Sequence, residues 1–121
     1  MNPFRKVVLV AAESVHRCRH GAIIVKGRKL ISQGINRAKT HPKSIHPYSA
    51  VHAEFDAICK AKGELDGATL YVTRLLADGT VGMSKPCPHC QRAIEESGIR
   101  EVVYTDAAGL FVTSQVTNSL L

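Results

Sequence analysis

Two short stretches constrain this chain more than anything else in it: His52-Ala53-Glu54 and Pro86-Cys87-Pro88-His89-Cys90. Cys87 and Cys90 are three residues apart, and at the start of a helix such a pair can point both sulfurs at one ion. His52 supplies a third ligand from a second helix. Thiolates and imidazole are the donors zinc takes, and three protein ligands leave a fourth tetrahedral position open for water, as catalytic sites do. Zinc would bring the pKa of that water down to the neutral range. Glu54 is too close to His52 to be another comfortable ligand, but it is well placed to carry protons beside the metal. A lone Cys-x-x-Cys is compatible with two core cysteines. The upstream His-Ala-Glu and the prolines flanking Cys87 argue for a site.

The 121 residues read as one domain spanning 1–121, long enough for one real core. No run is long enough to span a membrane. Val7–Ala12 follows Arg5-Lys6 but is too short for a leader and reads as a helix face, so a cytoplasmic location is expected. Of the four cysteines, two stand at ligand spacing; Cys18 and Cys59 are then free thiols, with Cys59 expected in the core. The net charge of +6 is unevenly spread. Residues 1–50 hold ten Lys and Arg against the single acid Glu13, while residues 51–121 hold six against nine acids. A basic first half suits a nucleotide phosphate or a nucleic-acid backbone, and equally a solvated basic surface.

Asn2-Pro3 predicts a helix start, and the 4, 8, 11, 15 apolar spacing carries the helix to about Ser14. His16, Cys18 and His20 alternate as on an extended segment and could hold a second metal, although no fourth ligand is evident nearby. Gly21–Lys26 and Lys29–Gln33 predict two strands joined by a tight turn at Gly27-Arg28. Asn36 to Ala50 is a long polar loop that enters the helix carrying His52. Two roles are open for its His46 and Tyr48: stacking on a base, or packing the loop onto its own helix. The second helix is expected from Val51 to Lys62, with Val51, Phe55, Ile58 and Cys59 as its apolar stripe and Gly63 as its stop. Its positive N-terminus would keep the His52 imidazole neutral, as metal binding needs.

Ala68–Thr73 is the clearest strand. Leu75–Lys85, around Asp78-Gly79, connects it to Pro86 as a loop or an extended hairpin and brings Ser84 and Lys85 to the border of the metal site, where Lys85 reads either as a phosphate contact or as a surface lysine. Cys87–Ser97 predicts the third helix, stopped by Gly98; a helix start favours thiolate at Cys87 and Cys90. Arg100–Thr105 and Leu110–Val116 close the chain as a strand pair. The fold class is therefore α/β: a three-layer α/β/α arrangement around a mixed five-stranded sheet with a C-terminal antiparallel hairpin.

His-x-Glu followed by Pro-Cys-x-x-Cys is the signature of zinc-dependent nucleobase deaminases, and the chain resembles the cytidine deaminase superfamily over most of its length. The resemblance implies one zinc ion per chain held by His52, Cys87 and Cys90, with Glu54 as the proton carrier in hydrolytic deamination at C4 of cytosine. It also implies that Asn36, at a strand end, contacts the substrate sugar, a position a plain turn residue would equally fill. The main chain near Ala53 and Cys87 would position the base.

Free-nucleoside cytidine deaminases typically carry cysteine where this chain has His52, which points towards a cytosine-containing nucleotide or a single-stranded nucleic acid as partner. The tRNA adenosine deaminases usually carry glutamate where this chain has Lys85. Residues 90–99 resemble deoxycytidylate deaminases more. The 16 residues after Thr105 are too few for the long helix of some branches. Small members often form homo-oligomers, which is expected here too. Two other readings remain open: a zinc-stabilised nucleic-acid binding module, or a silent domain whose fourth zinc ligand is His41 or His46.

Overall fold

The computed structural model describes residues 2–14, 19–38, 50–61 and 65–116. Helix α1 (Pro3–Ala12) begins as its sequence dictates. The Asn2 side chain accepts from the N–H groups of Phe4 and Arg5 at 3.1 and 3.3 Å, and Pro3 takes the first helical position. Strands β1 (Arg19–Lys26) and β2 (Lys29–Ile35) form an antiparallel hairpin. Gly27, at φ 64°, is the first of its two turn residues, the place where hairpin turns of this length use glycine. Then come the short antiparallel pair β3 (Arg37–Ala38) and β4 (Ala50–Val51), helix α2 (Ala53–Lys60) and strand β5 (Thr69–Leu75). Strand β6 (Val81–Gly82), helix α3 (Pro88–Ser97) and strands β7 (Glu101–Thr105) and β8 (Phe111–Gln115) complete the described chain.

The main sheet runs β2-β1-β5-β7-β8, and only β5 and β7 are parallel. The parallel ladder covers Thr69–Tyr71 against Glu101–Val103 and then stops. Beyond it β6 takes the vacated side of β5, pairing Arg74 with Gly82 and Leu75 with Val81. The sheet thus has six strands rather than the five expected, the addition being a two-residue strand made by the Leu75–Lys85 connection folding back on β5. The C-terminal pair is an antiparallel hairpin, as expected.

Side-chain alternation splits the core between the two faces. Val7 and Val10 of α1 pack with Ile23 and Val25 on one face. Ala22, Ile24, Leu70, Val72 and Val102 face Ala53 and Ala57 of α2 and Ile94 of α3 on the other. The three layers are therefore those expected. Among the described residues no helix is long and apolar enough to cross a membrane.

The face that α2 buries is not the stripe expected. Ala53, Glu54, Asp56 and Ala57 are buried, Phe55 and Ile58 are half-buried, and Cys59 is exposed rather than in the core. The reason is how close the helix lies. A Cβ added to Gly34 of β2 would stand 2.5 Å from the Ala57 nitrogen and 2.6 Å from the Ala53 carbonyl oxygen. Only small residues fit on that side of α2. Two polar contacts hold it there: Ser32 Oγ donates to the Ala57 carbonyl at 2.7 Å, and the Ile35 N–H donates to Asp56 Oδ2 at 3.2 Å. The helices also end within two residues of expectation, α1 at Ala12 and α2 at Lys60; Gly63 lies outside the described residues.

Candidate metal centre

Both ligand-bearing helices begin on a ligand. His52 is the N-cap of α2, with extended backbone, and its carbonyl accepts the first helical bond from Asp56 N–H at 2.9 Å. Cys87 is the N-cap of α3, followed by Pro88. Its carbonyl accepts from Gln91 N–H at 2.8 Å, and its sulfur accepts from Cys90 N–H at 3.5 Å. An N-cap and the third helical residue point to the same side of a helix start, because a capping side chain turns back to meet that N–H. This is why Cys87 and Cys90 can serve one ion.

The donors converge across the two helix starts. His52 Nδ1 lies 3.6 Å from Cys87 Sγ and 3.4 Å from Cys90 Sγ, and the ligand atoms of all three residues are within 4.8 Å of one another. With zinc–sulfur bonds of about 2.3 Å and zinc–nitrogen bonds of about 2.0–2.1 Å, a tetrahedral centre has sulfur–nitrogen edges of about 3.5 Å. The two measured separations bracket that edge, so the donor set fits zinc in both chemistry and spacing. Cys90 is fully buried, while His52 and Cys87 are half-buried. His89, between the cysteines, is not among the clustered donors.

Electrostatics favour a cation at this point. Burial, then the neighbouring Glu54 and Cys87, push the Cys90 thiol far above its ordinary range, and only the Phe55 N–H works the other way. A dication reverses this balance, because it deprotonates a thiol that it coordinates. Glu54 is 5 % exposed, and burial pushes its carboxyl up to about 7, against the smaller opposing effect of a backbone N–H. A carboxyl so placed can hold or release a proton near neutrality.

The other candidate residues are distributed differently. Ala53 is fully buried between His52 and Glu54, with its carbonyl against Gly34. Asn36 is buried at the end of β2. Its Oδ1 accepts from Ser14 Oγ and from His20 N–H, both at 2.8 Å, which ties the end of α1 to the start of β1. Lys85 is exposed, two residues before Cys87. His46 and Tyr48 lie outside the described residues, as do His41, His16 and Cys18 of the two other ligand readings.

Of the residues packed around the site, the sequence places Ser84 at its border, while the parts played by Gly34 and Thr105 emerge only in the fold. Gly34 seats α2. Its signal was present, a glycine closing a strand, which marks close backbone approach as well as a strand end. Ser84 and Thr105 are hydrogen-bonded to each other just before α3. Ser84 stands beside the Pro-Cys motif, but nothing local distinguishes Thr105 from any other strand threonine.

Residues 2–106 match the family model described as the cytidine and deoxycytidylate deaminase zinc-binding region. A tRNA-specific adenosine deaminase of Bacillus subtilis is 36% identical over 89 residues, which are 69% of this chain and 46% of that protein. A deoxycytidylate deaminase of Enterobacteria phage T2 is 36% identical over 75 residues, 57% of this chain and 35% of that protein. The chain thus spans about half or less of the curated relatives it matches. Among solved structures, the dCMP deaminase of cyanophage S-TIM5 superposes with a TM-score of 0.66 at 25% identity, covering 87% of this chain and 80% of that one. The cytidine deaminase of Burkholderia pseudomallei shares the fold, with a TM-score of 0.60 at 18% identity over 93% of this chain and 91% of that one.

Proposed function

Since the chain belongs to the cytidine and deoxycytidylate deaminase zinc-binding family, we propose that it is a zinc-dependent hydrolytic deaminase converting cytosine to uracil in a phosphorylated substrate. That substrate is a cytidine or deoxycytidine nucleotide or a single-stranded nucleic acid. One observation carries the reading: Glu54, a buried carboxyl, stands beside the three-donor cluster on the first turn of the helix that His52 caps. A purely structural zinc site has no use for a carboxyl that costs this much to bury.

His52, Cys87 and Cys90 hold the metal. When bound, zinc supplies the acidification of a water molecule. Glu54 accepts a proton from that water on a carboxylate oxygen and delivers it to the ring nitrogen. It then carries a second proton to the departing amine, so water and the cytosine base become ammonia and uracil. Each delivery restores the carboxylate, so one residue serves as base and then as acid. The backbone at Ala53 and Cys87 positions the base, and Asn36, Lys85, His46 and Tyr48 are the candidate contacts to sugar, phosphate and ring. The basic first half and the two phage deoxycytidylate deaminases among the relatives support a phosphorylated cytosine substrate. Self-association and a cytoplasmic location stay part of the reading.

The tRNA-specific adenosine deaminase among the relatives supports a second reading, adenosine in RNA. Zinc-loaded wild type and Glu54→Gln, incubated with deoxycytidine, its monophosphate, a cytosine-bearing single strand and an adenosine-bearing RNA, separate the two. Uracil from wild type alone, fastest with the phosphorylated substrates, is the expected result. Inosine without uracil replaces it with the second reading. Strand binding indifferent to Glu54→Gln, with no product, makes the protein a binding module.

A further inference from the structure

Between β6 and α3 the chain passes through a gap in the sheet. The parallel ladder of β5 and β7 ends at Tyr71 and Val103. Past that point Ser84, 4 % exposed, wedges between the two strands. Its Oγ donates to the Val72 carbonyl of β5 at 3.0 Å and accepts from the Thr105 N–H of β7 at 2.8 Å. Its own N–H donates to the Thr105 carbonyl at 2.9 Å. Thr105, fully buried, donates from Oγ1 to the Gly82 carbonyl at 2.6 Å, and the two hydroxyl oxygens lie 2.7 Å apart.

We propose that Ser84 and Thr105 are positioning residues for the metal centre: their clasp fixes the strand ends to the segment that delivers Cys87, and so sets the spacing of Cys87 against His52. Only Lys85 and Pro86 separate the clasp from Cys87, and Pro86 is buried with a fixed φ, so little slack lies between them. His52 reaches the same point by a separate route, through α2 seated on β2. The two halves of the site are thus referenced to different strands, and the clasp is the reference for the cysteine half. Partners bonded directly to metal ligands change metal affinity by about 10–100-fold when removed. Ser84 and Thr105 act one step further back, through the main chain, so the low end of that range, about 10-fold, is the effect expected of them. The inference rests on the reading that His52, Cys87 and Cys90 bind zinc.

A control lies on the same sheet. Thr73 of β5 is also fully buried, but its hydroxyl has no hydrogen-bond partner. The test compares Ser84→Ala, Thr105→Val, Thr105→Ser, Thr73→Val and Cys87→Ser with wild type. The readouts are zinc affinity by competition with a chelating dye, the thiolate-to-cobalt absorption of the Co(II) form, and thermal unfolding. Ser84→Ala and Thr105→Val should weaken zinc binding by about 10-fold and alter the cobalt spectrum. Thr105→Ser, which keeps the hydroxyl, should restore both, and Thr73→Val should leave both as in wild type. Zinc bound by wild type and lost in Cys87→Ser, yet held equally by Ser84→Ala and Thr105→Val, overturns the clasp alone. So does equal weakening by Thr73→Val. A wild type that binds no zinc overturns the ligand reading and this inference with it.

Discussion

Gly21 and Gly34 stand on adjacent rungs of the β1–β2 ladder, where Gly21 pairs with Ile35 and Ala22 with Gly34. Each admits a helix to the sheet, from opposite faces. A Cβ on Gly21 would meet the Ala11 backbone nitrogen of α1 at 2.4 Å; a Cβ on Gly34 would meet that of Ala57 at 2.5 Å. The same device has different consequences. Helix α1 brings Val7, Val10 and the Phe4 ring, which meets Tyr71 and Phe111 edge-on with centroids 5.6 and 4.9 Å away. It closes a core and carries no member of the site. Helix α2 brings Ala53 and Ala57 to its core and, on the same turn, His52 and Glu54 to the metal centre. One contact supports the fold, and the other supports the fold and fixes the geometry of the site.

The contrast can be tested in descending order of effect. Glu54→Gln removes from the α2 face only the carboxyl proposed to carry protons. Turnover should fall by about 10²–10⁴-fold, with zinc content by elemental analysis unchanged. Equal activity would remove the carboxyl from the chemistry. Gly34→Ala must push α2 off its seat, because both clashing atoms are backbone. Calorimetry should show a loss of about 1–3 kcal/mol, and a zinc titration on the folded variant should show weaker binding. Gly21→Ala should cost a similar amount, about 1–3 kcal/mol, but leave zinc affinity untouched once folded. Matching zinc losses in both variants would show that the two faces are not independent. Asn2→Ala removes the cap of α1 and should cost about 1 kcal/mol in denaturant unfolding, with no effect on the site.

What could be read from the sequence was what is decided locally. Asn2-Pro3 caps a helix, Gly27 makes a hairpin turn and Gly98 stops a helix at φ 89°, each through neighbours a few residues away. Cys87 and Cys90 belong to that class, since an N-cap and the third helical residue meet through the helix itself. Their meeting with His52 is long-range, but the His-x-Glu and Pro-Cys-x-x-Cys stretches together announced it. The buried face of α2 was misread because Phe55 and Ile58 are larger than Ala53 and Ala57. Hydrophobicity favours the larger pair, but the clearance above Gly34 admits only the smaller. Likewise Cys59 looked like core by its apolar company, and the helix rotation that follows from Gly34 left it in solvent. Strand β6 is the return arm of the extended hairpin that Asp78-Gly79 suggested within Leu75–Lys85, whereas the Ser84–Thr105 clasp depends on where two strands diverge, which no local pattern states.

The clasp also governs direction. Parallel strands in α/β folds leave a crevice past their carboxyl ends, the usual entrance for a ligand. Here that entrance between β5 and β7 is plugged by the chain itself, with Ser84 bonded to both walls. The sheet therefore stands as a closed wall behind the two helix starts, with no gap left at the place where its parallel strands part.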